Sequence, residues 1–211
     1  MRVTEIFHSI QGESTYAGLP CAFVRVTGCP LRCIWCDTAY AFHDGDEMSL
    51  DQIIARVRAF GSRLVEITGG EPLHDPAAFE LITRLADAGF TVLVETSGAI
   101  DIAPVDPRAV IIMDLKCPGS GMADRNLWSN LDRLKPGDQV KFVLKDRDDY
   151  LWARDVLART RVHERQAILF SPVFGELDPK GLAEWMLEDH VSARLQLQLH
   201  KLIWDPAARG V

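Results

Sequence analysis

The sequence of 211 residues suits one domain, residues 1–211, with enough apolar content to bury a substantial core. With 47% hydrophobic and 25% charged residues it is neither disordered nor of low complexity, and a net charge of −7 argues against a general affinity for nucleic acid or acidic lipid. No apolar run reaches the length of a membrane span and the opening Met1-Arg2-Val3-Thr4-Glu5 is no signal peptide, so a cytoplasmic protein is expected.

Along the chain, short apolar runs alternate with amphipathic ones. The first predicted strand covers residues 22–26 and runs into Gly28-Cys29. Ser49 caps a predicted helix over 50–60, in which Ile53, Ile54 and Val57 share a face. A strand at 64–68 leads into Gly69-Gly70-Glu71-Pro72, and Asp75-Pro76 opens a helix that stops at Gly89. A strand at 91–95 ends at Thr96-Ser97-Gly98, and one at 110–114 ends at Asp114-Leu115-Lys116. A weaker helical pattern at 126–133 precedes a strand at 139–144. A second such pattern, at 150–159, precedes a strand at 167–171 that ends at Ser171-Pro172. Asp178-Pro179 opens a last helix running to about His190, and the final predicted strand is 195–199.

Most of these strands are rich in Val, Ile, Leu and Phe with little alternation, as in strands covered on both faces. Their alternation with helices predicts an α/β fold with parallel strands and right-handed crossovers. About six parallel strands are too few for a fully closed barrel. The expected architecture is therefore a partial, open TIM-like barrel with flanking helices. The polar and Gly-rich turns all follow strand ends, which places a shared site on one rim.

Five cysteines, three of them within residues 29–36, do not form a disulfide framework. Cys29, Cys33 and Cys36 in one short loop are able to hold three corners of a cubane cluster, leaving one iron open for a substrate or cofactor. Structural zinc, with His43 as fourth ligand, is the alternative reading of this loop taken alone. Cys21 and Cys117 fit no ligand spacing and read as small buried residues.

The C-x3-C-x2-C loop followed after the next strand by Gly69-Gly70-Glu71-Pro72 resembles the radical S-adenosylmethionine (SAM) superfamily. The opening Glu5-Ile6-Phe7-His8-Ser9-Ile10-Gln11-Gly12-Glu13 resembles, more narrowly, the 7-carboxy-7-deazaguanine synthase family. Further matches are Gly18, Phe23-Val24-Arg25, Cys36-Asp37-Thr38, Val94-Glu95-Thr96 and Gln198-Leu199-His200-Lys201. The pattern is departed from at Ser14, where glycine is usual, and at Asp114-Leu115-Lys116, which replaces a Ser-Pro-Lys.

This resemblance implies a radical SAM core carrying a 4Fe-4S cluster, with SAM and Mg2+ as further cofactors. It also implies a homodimer served by an external electron donor of the flavodoxin or ferredoxin type. The implied reaction is conversion of 6-carboxy-5,6,7,8-tetrahydropterin to 7-carboxy-7-deazaguanine with loss of ammonia, a radical ring contraction on the route to queuosine and related deazapurines. The implied pterin contacts are Ile10, Gln11, Gly12, Glu13, Arg25, Thr68 and His200, with Pro206 closing over the substrate. The implied SAM contacts are Gly70, Glu95, Ser97, the Asp114, Leu115 and Lys116 segment, and the turn Ser171, Pro172, Val173 and Phe174. Thr38 corresponds to the magnesium ligand, and Trp35 is expected to shield the cluster. Two other functions compete: an activase of a glycyl radical enzyme, which lacks the Q-G-E opening, and a non-enzymatic zinc-binding protein.

Overall fold

The computed structural model describes residues 1–211 and contains one nine-stranded sheet. The strands are β1 (Arg2–Ile10), β2 (Pro20–Val26), β3 (Asp46–Glu47), β4 (Leu64–Gly69), β5 (Thr91–Thr96), β6 (Val110–Asp114), β7 (Gln139–Leu144), β8 (Ala167–Pro172) and β9 (Arg194–Leu195). Their order is β3-β1-β2-β4-β5-β6-β7-β8-β9. From β2 to β9 every pairing is parallel, whereas β1 runs antiparallel to both β2 and β3. The sheet is open, as expected: its edges β3 and β9 do not pair.

The helices α1 (Leu50–Ala59), α2 (Ala77–Asp87), α3 (Arg147–Thr160) and α4 (Pro179–Glu188) cover one face, and a short α5 (His200–Ile203) follows β9. Each of the four longer helices has a polar cap at its start, and α3 begins at Arg147, one turn earlier than the expected 150–159. Ser49 and Gln52 form a reciprocal capping box, Asp146 accepts from Asp149 N, and Asp178 accepts from Lys180 N ahead of Pro179. Asp75 Oδ1 accepts from Ala77 N, the first residue of α2.

The strands alternate, and the alternation positions the site. Ala22, Val24, Val65, Ile67, Val92, Val94, Ile111, Met113, Val140, Phe142, Ile168 and Phe170 face the helices in a cluster of 37 buried residues. On the opposite face the apolar cluster has only six buried residues, Cys21, Phe23, Leu64, Leu93, Ile112 and Leu169, so most apolar burial lies on the helix side. Two residues further along each strand, the inward position becomes polar: Arg25, Glu66, Glu95, Asp114, Lys141 and Ser171. The inside is thus a shallow apolar base beneath a polar, largely charged layer, and that layer forms the floor of the cavity described below. This differs from the expectation of little alternation.

Two expected elements differ, and two strands are new. The segment 195–199 is strand only at its first residue, after which Gln196 and Gln198 turn to hydrogen-bond Glu13. The pattern at 126–133 forms only a 3-10 turn, Trp128–Asp132. β1 and β3 were not foreseen.

Candidate active site

The strand ends of β2, β4, β5, β6 and β8 open into one cavity of about 560 Å³. Cys29, Cys33, Cys36 and Thr38 line its mouth, and the polar residues of the inner face line its floor.

The two glycine turns fit together without room for a side chain. Gly70 N donates to Val26 O at 3.1 Å and Glu71 N to Gly28 O at 2.8 Å, which locks the turn after β4 onto the turn that carries Cys29. A Cβ on Gly70 would run into the Gly28 carbonyl, and Gly69 has φ +129°. Glu71 is buried and knits this turn to the next: it accepts from Leu73 N (3.0 Å), Thr96 Oγ1 (2.8 Å), Ser97 N (2.6 Å) and Ser97 Oγ.

The cysteine loop suits a cubane cluster. All three cysteines are free and half-buried, and burial holds each thiol above its ordinary value while Lys116 pulls the other way. Metal coordination, which takes the thiolate, would release those protons. No three His, Cys, Asp or Glu groups converge on a single ion position. A tetrahedral zinc site would need its donors about 2.3 Å from one centre, whereas the thiolates of a cubane bind separate irons. His43 is exposed and lies outside the cavity, so the zinc reading lacks its fourth ligand.

Beside the loop, Lys116 Nζ pairs with Asp114 at 2.8 Å. Burial opposes the lysine's charge, yet Asp114 and Cys33 raise it above its ordinary value. Asp114 Oδ1 is buried without a hydrogen-bond partner and borders the cavity, an acceptor suited to a donor of a bound cofactor such as an amine or a ribose hydroxyl. Leu115, between these two, is fully buried in the helix-side core and does not line the cavity, because successive side chains take opposite faces. Gly70, Glu95, Ser97, Ser171, Pro172, Val173 and Phe174 all line it.

Ile10, Gln11, Gly12, Glu13, Arg25, Thr68 and His200 line the same cavity. Gln11 is clamped at both ends of its amide: Nε2 donates to Glu66, and Oε1 accepts from Glu13 N at 3.0 Å. Arg25 Nε pairs with Glu5 at 2.7 Å, and Tyr40 OH shares that carboxylate at 2.8 Å. His200 lies so near Gly12 that a Cβ there would meet its Nδ1. Burial holds this imidazole below its ordinary value against the pull of Glu13, so the neutral form offers a hydrogen bond rather than a charge. Leu199 N donates to Gly12 O at 3.0 Å, and Lys201 bridges to Asp37 at 2.9 Å, which draws the C-terminal segment across the mouth. Pro206 is exposed and does not reach the cavity; from that segment Val211 borders it instead, with Arg209 stacked on Tyr40 at 3.9 Å. Trp35 borders the cavity beside the cysteines.

Two charged residues on the floor were missed. Lys141 reaches Glu13 at 2.9 Å and contacts Glu95, and Glu66 is 3% exposed. Burial first, then Glu95 and Glu13, push the Glu66 carboxyl well above its ordinary value. The signal was present in Gln139–Leu144 and Leu64–Gly69: a charge in the middle of a run otherwise read as a buried strand.

Comparison with known proteins follows the same lines. The Radical SAM superfamily model matches residues 23–110. The chain is 47% identical to 7-carboxy-7-deazaguanine synthase of Chlorobaculum tepidum, covering all of this chain and 97% of that one. It is 44% identical to the protein of the same name from Koribacter versatilis, with both chains fully covered. Among solved structures, QueE from Escherichia coli superposes with a TM-score of 0.74 at 26% identity, over 93% of each chain.

Proposed function

The chain belongs to the 7-carboxy-7-deazaguanine synthase family of radical SAM enzymes, and from that membership we propose that it converts 6-carboxy-5,6,7,8-tetrahydropterin to 7-carboxy-7-deazaguanine with loss of ammonia. Identity over the full length of the chain carries the reading, and one cavity lined by both the thiols and pterin-compatible groups supports it. The glycyl-radical activase and zinc-protein readings are not favoured.

Membership in the superfamily implies a 4Fe-4S cluster and SAM, which when bound supply hydrogen-atom abstraction from the pterin. The chain's own residues bind, orient and shield. Cys29, Cys33 and Cys36 hold the cluster, and Gly70, Ser97, Asp114, Lys116 and the Ser171–Phe174 turn surround SAM. Glu13 accepts hydrogen bonds from the guanidine-like edge of the pterin, as a carboxylate does well. Arg25 and His200 take its carboxylate, the first by charge and the second by hydrogen bond. Thr68 and the Ile10–Gly12 backbone complete the contacts.

Several finer assignments belong to the same proposal. Thr38 gives one hydroxyl to Mg2+, a hard cation that keeps the rest of its shell as water and substrate oxygen. The enzyme works as a homodimeric single-domain protein in the cytoplasm, with an external one-electron donor. No helix is long and apolar enough to cross a membrane.

The test is anaerobic incubation of reconstituted protein with SAM, dithionite, magnesium and 6-carboxytetrahydropterin, with mass spectrometry for the deazapurine. Product is expected from the wild-type chain and none from Cys33→Ala. SAM cleavage without deazapurine would refute the substrate while leaving the superfamily assignment intact.

A further inference from the structure

A single ammonium group lies between the residues assigned to the pterin (the pterin end) and those assigned to SAM (the SAM end). Lys141 projects from β7 with its side chain 6% exposed, and its Nζ reaches Glu13 at 2.9 Å, contacts Glu95, and lies 4.0 Å from Asp114. These three carboxylates come from separate parts of the chain: the turn after β1, the inner face of β5, and the end of β6. Glu13 stands among the groups of the pterin end, beside Gln11 and His200. Asp114 stands beside Lys116 and the cysteine loop. Neither Glu13 nor Glu95 has another ion-pair partner, so the two share one cation, while Gln196 and Gln198 donate further hydrogen bonds to Glu13.

Such an arrangement is a balance. In a buried site an ammonium is held strongly by the carboxylates nearest it, and its position responds to what each of them is doing. When donors of a ligand engage Glu13, that carboxylate has less to offer Lys141, and the ammonium settles on Glu95 and Asp114. Those two carboxylates are then fixed at the SAM end.

We propose that Lys141 is a positioning residue that couples the two ligand sites, so that a pterin bound at Glu13 tightens the binding of SAM at the Glu95 and Asp114 end. The proposal rests on the functional reading given above and adds to it a thermodynamic link through one side chain. By reciprocity SAM tightens the binding of pterin by the same factor.

The experiment measures SAM affinity of the reconstituted holoenzyme by equilibrium dialysis, with and without 6-carboxytetrahydropterin, the cluster kept oxidised so that nothing turns over. In the wild-type protein the pterin is expected to tighten SAM binding about tenfold, within the usual range of such couplings. In Lys141→Gln the factor is expected to fall below about twofold. A lysine that merely supports the fold would lower both affinities and leave their ratio unchanged, so the ratio is the deciding readout. Should Lys141→Gln not fold, the pair Lys141→Met with Glu95→Gln removes the ammonium and one carboxylate together, and the same loss of coupling is expected. A folded, cluster-bearing variant that keeps the tenfold effect overturns the role of Lys141. A wild-type protein that turns the pterin over but shows no coupling overturns it too, with the function standing. Wild-type protein that binds SAM yet neither binds nor converts the pterin overturns the functional reading and this inference with it.

Discussion

At Gly70 the backbone of one turn lies against the backbone of another, and any side chain would have to push them apart. A methyl at this position meets Gly28 O and C, not the movable end of a side chain. The neighbouring Cys29 would be displaced with Gly28, so the site and the fold are strained together. Gly70→Ala is expected to cost on the order of 1–3 kcal/mol, the range for overpacking, and to weaken SAM binding about tenfold or more. Thermal unfolding and SAM dialysis on the reconstituted protein check both halves, and a variant of wild-type affinity would show that the turns part freely. Ser14 carries the opposite lesson. Its φ is +64°, the left-handed region in which glycine rests at no cost. Here the serine is retained with Oγ accepting from Tyr16 N at 3.1 Å and its own N donating to Gln196 at 2.6 Å.

Among the elements, those with local chemistry were legible and those fixed by distant partners were not. α1 is the clearest case, since Ser49 and Gln52 cap it reciprocally and Ile53, Ile54 and Val57 are buried as their spacing predicts. Ser49→Ala removes the hydrogen bond to Gln52 N at the far side of the helix layer from the cavity. It should cost about 1 kcal/mol and lower the unfolding midpoint by roughly 2–4 °C. Product formed per cluster should stay at the wild-type level; a fall there would mean that α1 reaches the chemistry. β1 escaped notice for a physical reason: the register shifts between Val3 and Glu5, and such a bulge breaks the two-residue period. β3 has two residues, too few to leave a pattern, and β9 has only two where a strand over 195–199 was expected. At the cavity, the cysteine loop and glycine turns were legible because their spacing is local. Lys141 and Glu66 were not, because their partners Glu13, Glu95 and Gln11 lie on other strands and turns. Leu115 shows that period two decides which of three adjacent residues enters the cavity, and Pro206 that motif position does not fix where a tail lies.

The molecule as a whole keeps its apolar burial on the helix side and concentrates charge on the inner face. Around that floor and rim, Glu13, Glu66, Glu95 and Asp114 share only Lys141 and Lys116, since Arg25 is engaged by Glu5. Such an interior relieves its excess of carboxylates by keeping a proton. Glu66 is where that proton belongs: burial, then Glu95 and Glu13, raise its carboxyl, with only Gln11 and Lys141 favouring the charged form and the Cys21 thiol close by. Between the ordinary carboxyl range and this raised value, the folded chain holds a proton that the unfolded chain has lost. The stabilisation is therefore complete below the unfolded value and drains away as pH rises through the folded one. Glu66→Gln replaces the neutral acid by a neutral amide and removes this dependence. The variant should gain on the wild-type protein as pH rises from about 5 to 8, measured as the difference between their urea midpoints at each pH. Glu13 and Glu95 titrate in both proteins and largely cancel from that difference. A difference that stays constant over the range, or shrinks as pH rises, would mean that Glu66 is ionised in the folded chain and that the floor carries its full negative charge.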